Sequence, residues 1–193
     1  SAANLRRMAM NFTSDNAYGA APEVLAALVD ANSGTADSYG EDEITARLAR
    51  RFSEVFEHEV AVFPVFTGTA AKALALATIA PPYGAIFCHE NSHIAADDCA
   101  APEFFSGGAK LVHLRGRHAK FAPAAVEEAL AHYRGGVHSP KPSAISITQA
   151  TERGTVYRAD EIAALSDIAR REGMALHMDG ARFANAVAYL GCT

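Results

Sequence analysis

Between residues 58 and 179 the chain alternates short apolar runs with longer stretches of helical period, and few folds accommodate that order. The runs at 60–66, 85–88, 110–114, 143–148 and 175–179 predict strands; the segments 69–79, 93–99, 123–133 and 160–172 predict the helices between them. Strands joined through helices return parallel to one another. The order therefore predicts an α/β fold, a mainly parallel sheet with helices on both faces. Ahead of it, Pro22-Glu23 opens an apolar-periodic helix that runs to Asn32 and stops at Ser33-Gly34. Residues 41–56 predict a second, amphipathic helix with Ile44, Leu48, Phe52, Val55 and Phe56 on one side.

Half of the 193 residues are hydrophobic, enough to bury a sizeable core. The net charge is −5 and no basic run exceeds Arg170-Arg171, which argues against a nucleic-acid partner. The longest apolar stretch, 73–82, falls far short of the ~20 residues that span a bilayer. Leu5-Arg6-Arg7 leads into no apolar segment of the secretory type. Cys88, Cys99 and Cys192 are an odd number without metal spacing, as suits a reducing compartment. The expectation is a soluble cytoplasmic enzyme, or a piece of one, with no membrane or nucleic-acid partner.

In parallel sheets ligands sit outside the carboxyl ends of the strands, and four expected strand ends carry chemistry here. Thr67-Gly68-Thr69 places a small-residue turn before a helix, where free N–H groups can take a phosphate; an ordinary capped helix is the plain alternative. No nucleotide-binding glycine fingerprint occurs anywhere. His89-Glu90-Asn91-Ser92-His93 matches the zinc-protease pattern, which requires both histidines on one helix. His89 directly follows an expected strand, so the pattern favours His93 alone, stacked on a cofactor, with no metal. His138 sits in a proline-stiffened loop, Ser139-Pro140-Lys141-Pro142.

The strongest signal is His177-Met178-Asp179-Gly180-Ala181-Arg182. An aspartate at the end of an apolar run is costly to bury without a partner. A carboxylate there can hold a pyridinium nitrogen protonated, and an arginine three residues on can reach a phenolate. Together they point to pyridoxal phosphate. The alternative is a structural ion pair between Asp179 and Arg182. Small residues between the two leave room for a ligand.

These motifs together resemble the threonine aldolases, fold-type I pyridoxal phosphate enzymes that include the low-specificity and phenylserine types. The resemblance runs through Phe12-Thr13-Ser14-Asp15-Asn16, Tyr39-Gly40-Glu41-Asp42, Thr67-Gly68-Thr69, Ser92-His93, Ile147-Thr148-Gln149-Ala150-Thr151-Glu152 and the segment from His177 to Ala186. It implies an aspartate-aminotransferase-like large domain, incomplete at 41–193, preceded by an arm and helix at 1–40, with the small C-terminal domain absent. It implies that Gly68 and Thr69 hold the cofactor phosphate, His93 stacks on the ring, Asp179 pairs with its nitrogen and Arg182 meets its phenolic oxygen. Ser14, Tyr39 and His138 would serve the substrate, with His138 or His93 as the base at its β-hydroxyl. The implied assembly is a homodimer or homotetramer with shared sites.

The resemblance further implies retro-aldol cleavage of a threonine-like β-hydroxy-α-amino acid to glycine and an aldehyde. The lysine that anchors the cofactor in this family lies downstream of the Asp-Gly-Ala-Arg segment, and no lysine follows Lys141 here. Lys72, nearest the phosphate turn, is expected to face solvent. The competing readings are another fold-type I enzyme such as a β-eliminating lyase, a zinc hydrolase on His89 and His93, and a lysine-less, non-catalytic fragment.

Overall fold

A computed structural model describes residue 14, residues 17–133 and residues 136–192. Of the 12–16 block, only Ser14 lies within the described residues. The chain divides into two units, Ser1–Phe63 and Pro64–Thr193. The amphipathic helix of residues 41–56 falls within the first of these.

In the first unit, α1 (Pro22–Ala31) has proline in its first turn, where no intrahelical N–H is needed. Helix α2 (Glu43–Val55) is capped by Asp42, which accepts from Thr45 N at 2.9 Å and from Thr45 Oγ1 at 2.7 Å. Those bonds hold the Asp42 carboxyl below its ordinary range. Tyr39 and Gly40 precede it with φ of 62° and 84°.

The second unit is built on four parallel strands in the order β2-β1-β3-β4: β1 (Gly84–His89), β2 (Lys110–Leu114), β3 (Lys141–Thr148) and β4 (Ala175–Asp179). Helix α3 (Gly68–Ile79) precedes β1; α4 (His93–Ala96) and α5 (Ala101–Phe105) lie between β1 and β2. Helix α6 (Pro123–Tyr133) leads to β3, α7 (Ala159–Glu172) to β4, and α8 (Phe183–Leu190) follows. Helices cover both faces, as the alternating sequence predicts. On one face Phe87, Ile145 and Ile147 pack with Val126 and Leu130 of α6 and with Leu165 and Ile168 of α7. On the other, Ile86, Cys88 and Ala144 pack with Leu76 of α3 and Ile94 of α4. Each fully buried large side chain contributes about 1.5–3 kcal/mol. Among the described residues no helix is long and apolar enough to cross a membrane.

Three elements differ from expectation. Residues 60–66 form no strand, because Pro64 lacks an N–H for a ladder. The helix expected over 93–99 stops at Ala96. Cys99 and Ala100 then take positive φ, and the next helix starts at Ala101 with Pro102 in its first turn. Helix α8 was not expected at all; it begins one residue beyond Arg182.

Candidate active site

The β3 and β4 residues on the α3 face change character along the strands. Ala144 and Ala175 pair at the start, Ser146 and His177 come next, and Thr148 and Asp179 end the register. The period-2 alternation of a strand puts all six on one face, apolar below and polar at the carboxyl edge. Ser146 Oγ lies 2.9 Å from His177 Nδ1. Burial pushes the His177 imidazole pKa down; Asp179 opposes the shift and Lys72 adds to it.

Helix α3 delivers its first turn to this edge. Thr67 caps it, accepting from Ala70 N at 3.1 Å, which leaves the N–H groups of Gly68 and Thr69 without intrahelical partners. A Cβ at Gly68 would meet nothing within 4 Å, so the backbone there is open to close approach. One turn on, Lys72 is buried at 7% exposure. Its Nζ lies 3.2 Å from Asp98 Oδ2 and 3.5 Å from Asp179 Oδ2. Asp98 also accepts from Thr69 Oγ1 at 2.7 Å and lies 3.2 Å from His93 Nδ1. The other Asp179 oxygen accepts from Ala181 N at 3.1 Å.

The loops after β3 and β4 lock together around this network. Gln149, fully buried, exchanges hydrogen bonds with the backbone of Tyr157 at 2.8 and 3.0 Å, and its own N–H donates to Asp179 O at 2.9 Å. Arg182 Nε donates to Ala150 O at 2.9 Å. Glu152 Oε1 accepts from His93 N at 3.0 Å and lies 3.7 Å from Arg182 Nη2.

A cleft of about 400 Å³ opens here, lined by Gly68, Lys72, His177, Asp179, Gly180 and Ala181. That volume lies within the ~300–1,000 Å³ typical of small-molecule sites. The donors fit pyridoxal phosphate on three counts. The start of α3 offers free N–H groups over open ground at Gly68. Asp179 offers a buried carboxylate. Arg182 Nη2 is a buried donor without a hydrogen-bond partner among the described residues.

The structure thus gathers Gly68, Thr69, His93, Asp179 and Arg182 at one rim. The alternative of a structural ion pair between Asp179 and Arg182 is not what forms: Asp179 is bridged by Lys72, while Arg182 turns to Ala150 and Glu152. Lys72 does not face solvent. Two carboxylates distant in sequence draw its ammonium inward. The zinc pattern is split between elements, with His89 ending β1 and His93 opening α4. His89 Nδ1 accepts from Asn91 N at 3.0 Å, so its proton sits on Nε2, 3.3 Å from Gly116 O; neither nitrogen is free for a metal.

His138 is exposed in the turn before β3, at the amino edge of the sheet. The eight residues of β3 put roughly 25 Å between that edge and the cleft rim. Ser14 and Tyr39 are exposed and belong to the first unit. Sequence reasoning missed Lys72, Asp98 and the partnership of Glu152. The pattern Ala95-Ala96-Asp97-Asp98 reads as a solvated helix end, yet a left-handed turn follows at Cys99-Ala100 and Asp98 is buried.

A parallel sheet with a helix start, a buried aspartate and an arginine at its carboxyl edge defines a class: the large domain of fold-type I pyridoxal phosphate enzymes. Within it the chain belongs to the beta-eliminating lyase family, which it matches over residues 11–193. It is 48% identical to a low specificity L-threonine aldolase of Pseudomonas sp. (strain NCIMB 10558) and 47% identical to one from Pseudomonas aeruginosa. Each alignment covers 94% of this chain and 52% of the relative, so the chain spans about half the length of the curated relatives it matches. A solved threonine aldolase from Leishmania major superposes with a TM-score of 0.83 at 28% identity, over 89% of this chain and 49% of that one.

Proposed function

We propose that the complete protein cleaves a threonine-like β-hydroxy-α-amino acid to glycine and an aldehyde, using pyridoxal phosphate held in the cleft at Asp179. The observation that carries this is the buried Asp179 carboxylate beside the open start of α3, in a chain nearly half identical to enzymes named threonine aldolases. Gly68 and Thr69 N–H groups would hold the phosphate, Asp179 the protonated ring nitrogen, Arg182 Nη2 the phenolic oxygen, and His93 would stack on the ring. Bound there, the cofactor supplies an electron sink for the carbanion left when the Cα–Cβ bond breaks.

The protein's own task is to hold charge in place and move one proton. Asp179, fixed by Ala181 N, stays aimed while the loops after β3 and β4 keep it from relaxing. An imidazole, His93 or His138, takes the β-hydroxyl proton. Ser14 holds the substrate carboxylate and Tyr39 lines the site. In a cytoplasmic homodimer or homotetramer with shared sites, His138, at the far edge of its own sheet, would serve a neighbouring subunit's cleft.

The complete protein incubated with threonine should release glycine and acetaldehyde. A second reading, β-elimination, is favoured by the description of the family and would release a keto acid with ammonia instead. Keto acid without glycine would overturn the aldolase reading.

A further inference from the structure

Resting on the reading that the cleft holds pyridoxal phosphate, we propose that Lys72 is a positioning residue for the cofactor ring. Its ammonium ties Asp98 to Asp179 and sets how much negative charge Asp179 presents to the ring nitrogen.

The side chains of Lys72, Asp98 and Asp179 are 9%, 0% and 9% exposed, and Nζ lies between the two carboxylates at 3.2 and 3.5 Å. Charges so placed interact far more strongly than a surface pair, because little water screens them. Lys72 lies four residues after Gly68, on the same face of α3, so one helix brings both the open backbone and the ammonium to the cleft.

The groups around Asp179 make a definite balance. Two carboxylates, Asp98 and Asp179, stand against one ammonium. From α4, His93 meets Asp98 on the oxygen away from Lys72. From β4, His177 is pushed toward its neutral form by burial. Arg182 and Glu152 lie together, 3.7 Å apart. The set therefore has a net charge of −1 at Asp98, Lys72 and Asp179, which one protonated ring nitrogen neutralises. Without Lys72 the same ring would face two uncompensated carboxylates. Without the charge on Asp98, Lys72 would lean wholly on Asp179 and compete with the ring for it.

Lys72 is not the covalent anchor. In pyridoxal phosphate the aldehyde carbon is attached para to the ring nitrogen, so an amine held at the nitrogen's carboxylate is at the wrong end of the ring.

The test uses the complete protein loaded with pyridoxal phosphate and follows the bound cofactor's absorption band through a pH titration. Lys72→Met should move the midpoint for loss of the protonated band upward, by roughly one to three pH units. Asp98→Asn should move it downward, and the double variant should return near the wild type. The adduct trapped by borohydride should persist in Lys72→Met. If that variant fails to fold, Lys72→Gln, which keeps a donor without the charge, should give the same upward shift.

Shifts in one direction for both single variants, or none, would overturn the assignment, because a merely structural ion pair leaves the midpoint in place. Loss of the trapped adduct in Lys72→Met would overturn it by making Lys72 the anchor. A wild-type protein that binds no pyridoxal phosphate would instead remove the cofactor reading beneath it, an outcome separable from unchanged midpoints in a loaded protein.

Discussion

The two faces of one sheet differ in what their side chains do. Toward α6 and α7, the residues of β1 and β3 are Ala85, Phe87, Ile145 and Ile147, buried against Leu130, Leu165 and Tyr157. Toward α3, β3 and β4 begin with Ala144 and Ala175 and end with Ser146, Thr148, His177 and Asp179. The first face gains free energy from apolar area. The second holds polar and charged groups, and partners offset the cost of burying them: Ser146 and His177 bond each other, and Asp179 meets Lys72 and Ala181 N. A strand's alternation lets both designs share one backbone, so the chemistry on one side can change without repacking the other.

The comparison breaks most sharply at Asp179. Asp179→Ala in the complete, cofactor-loaded enzyme should lower kcat by about a thousandfold or more, corresponding to ~4 kcal/mol of transition-state stabilisation. It should leave the far face packed. Circular dichroism and steady-state kinetics on one preparation check both halves, and unchanged kcat would end the assignment of Asp179.

The reverse experiment is Leu165→Ala, on the apolar face. Leu165 is fully buried, and its truncation should destabilise the fold by about 2–5 kcal/mol. The KM and kcat of the protein that remains folded should be unchanged. Urea unfolding with kinetics at low temperature reads this out, and a large kcat loss at full folding would show that the two faces are coupled.

Arg182 gives a smaller effect. Its Nε is committed to Ala150 O, while Nη2 is a buried donor without a hydrogen-bond partner among the described residues. Arg182→Gln should weaken pyridoxal phosphate binding by about tenfold to a hundredfold, the range of one hydrogen bond to a charged group. Equilibrium dialysis of the apoprotein would measure it. Unaltered affinity would leave Arg182 as a clamp for the loop after β3 and nothing more.

The apolar face was readable in the sequence because it rests on periodicity. The runs at 85–88 and 143–148 and the helices at 123–133 and 160–172 all stand close to where they were expected. Asp179 and the Thr67-Gly68-Thr69 turn were readable because a polar residue or glycine interrupts a strong local pattern. Lys72 and Asp98 were not. A lysine in an alanine-rich helix looks solvated, and an aspartate near a helix end looks like a cap; each is buried against charged partners distant in sequence. The run at 60–66 failed for the opposite reason, since its apolar residues matched a strand while Pro64 denied it a ladder.

His177 lies where the two designs meet, and it carries the smallest expected effect. Met178 beside it packs into the apolar cluster, while the imidazole points to the polar side and bonds Ser146 Oγ. Burial lowers the folded-state pKa of His177 below its ordinary 6.5. As pH falls, the unfolded chain therefore takes up the proton first. The stability that neutral His177 contributes is fully present above about pH 6.5 and is lost as pH falls from there toward the lower folded value, below which it levels off. His177→Gln keeps a hydrogen-bonding side chain at Ser146 but cannot titrate. The wild type's stability relative to this variant should therefore decline, by about 1 kcal/mol or less, between pH 7 and pH 5. Urea midpoints at half-unit pH steps would show the slope. A difference that stays constant across the range would mean that the imidazole is hydrated in the folded protein, and that the polar face admits water further down the strands than Asp179.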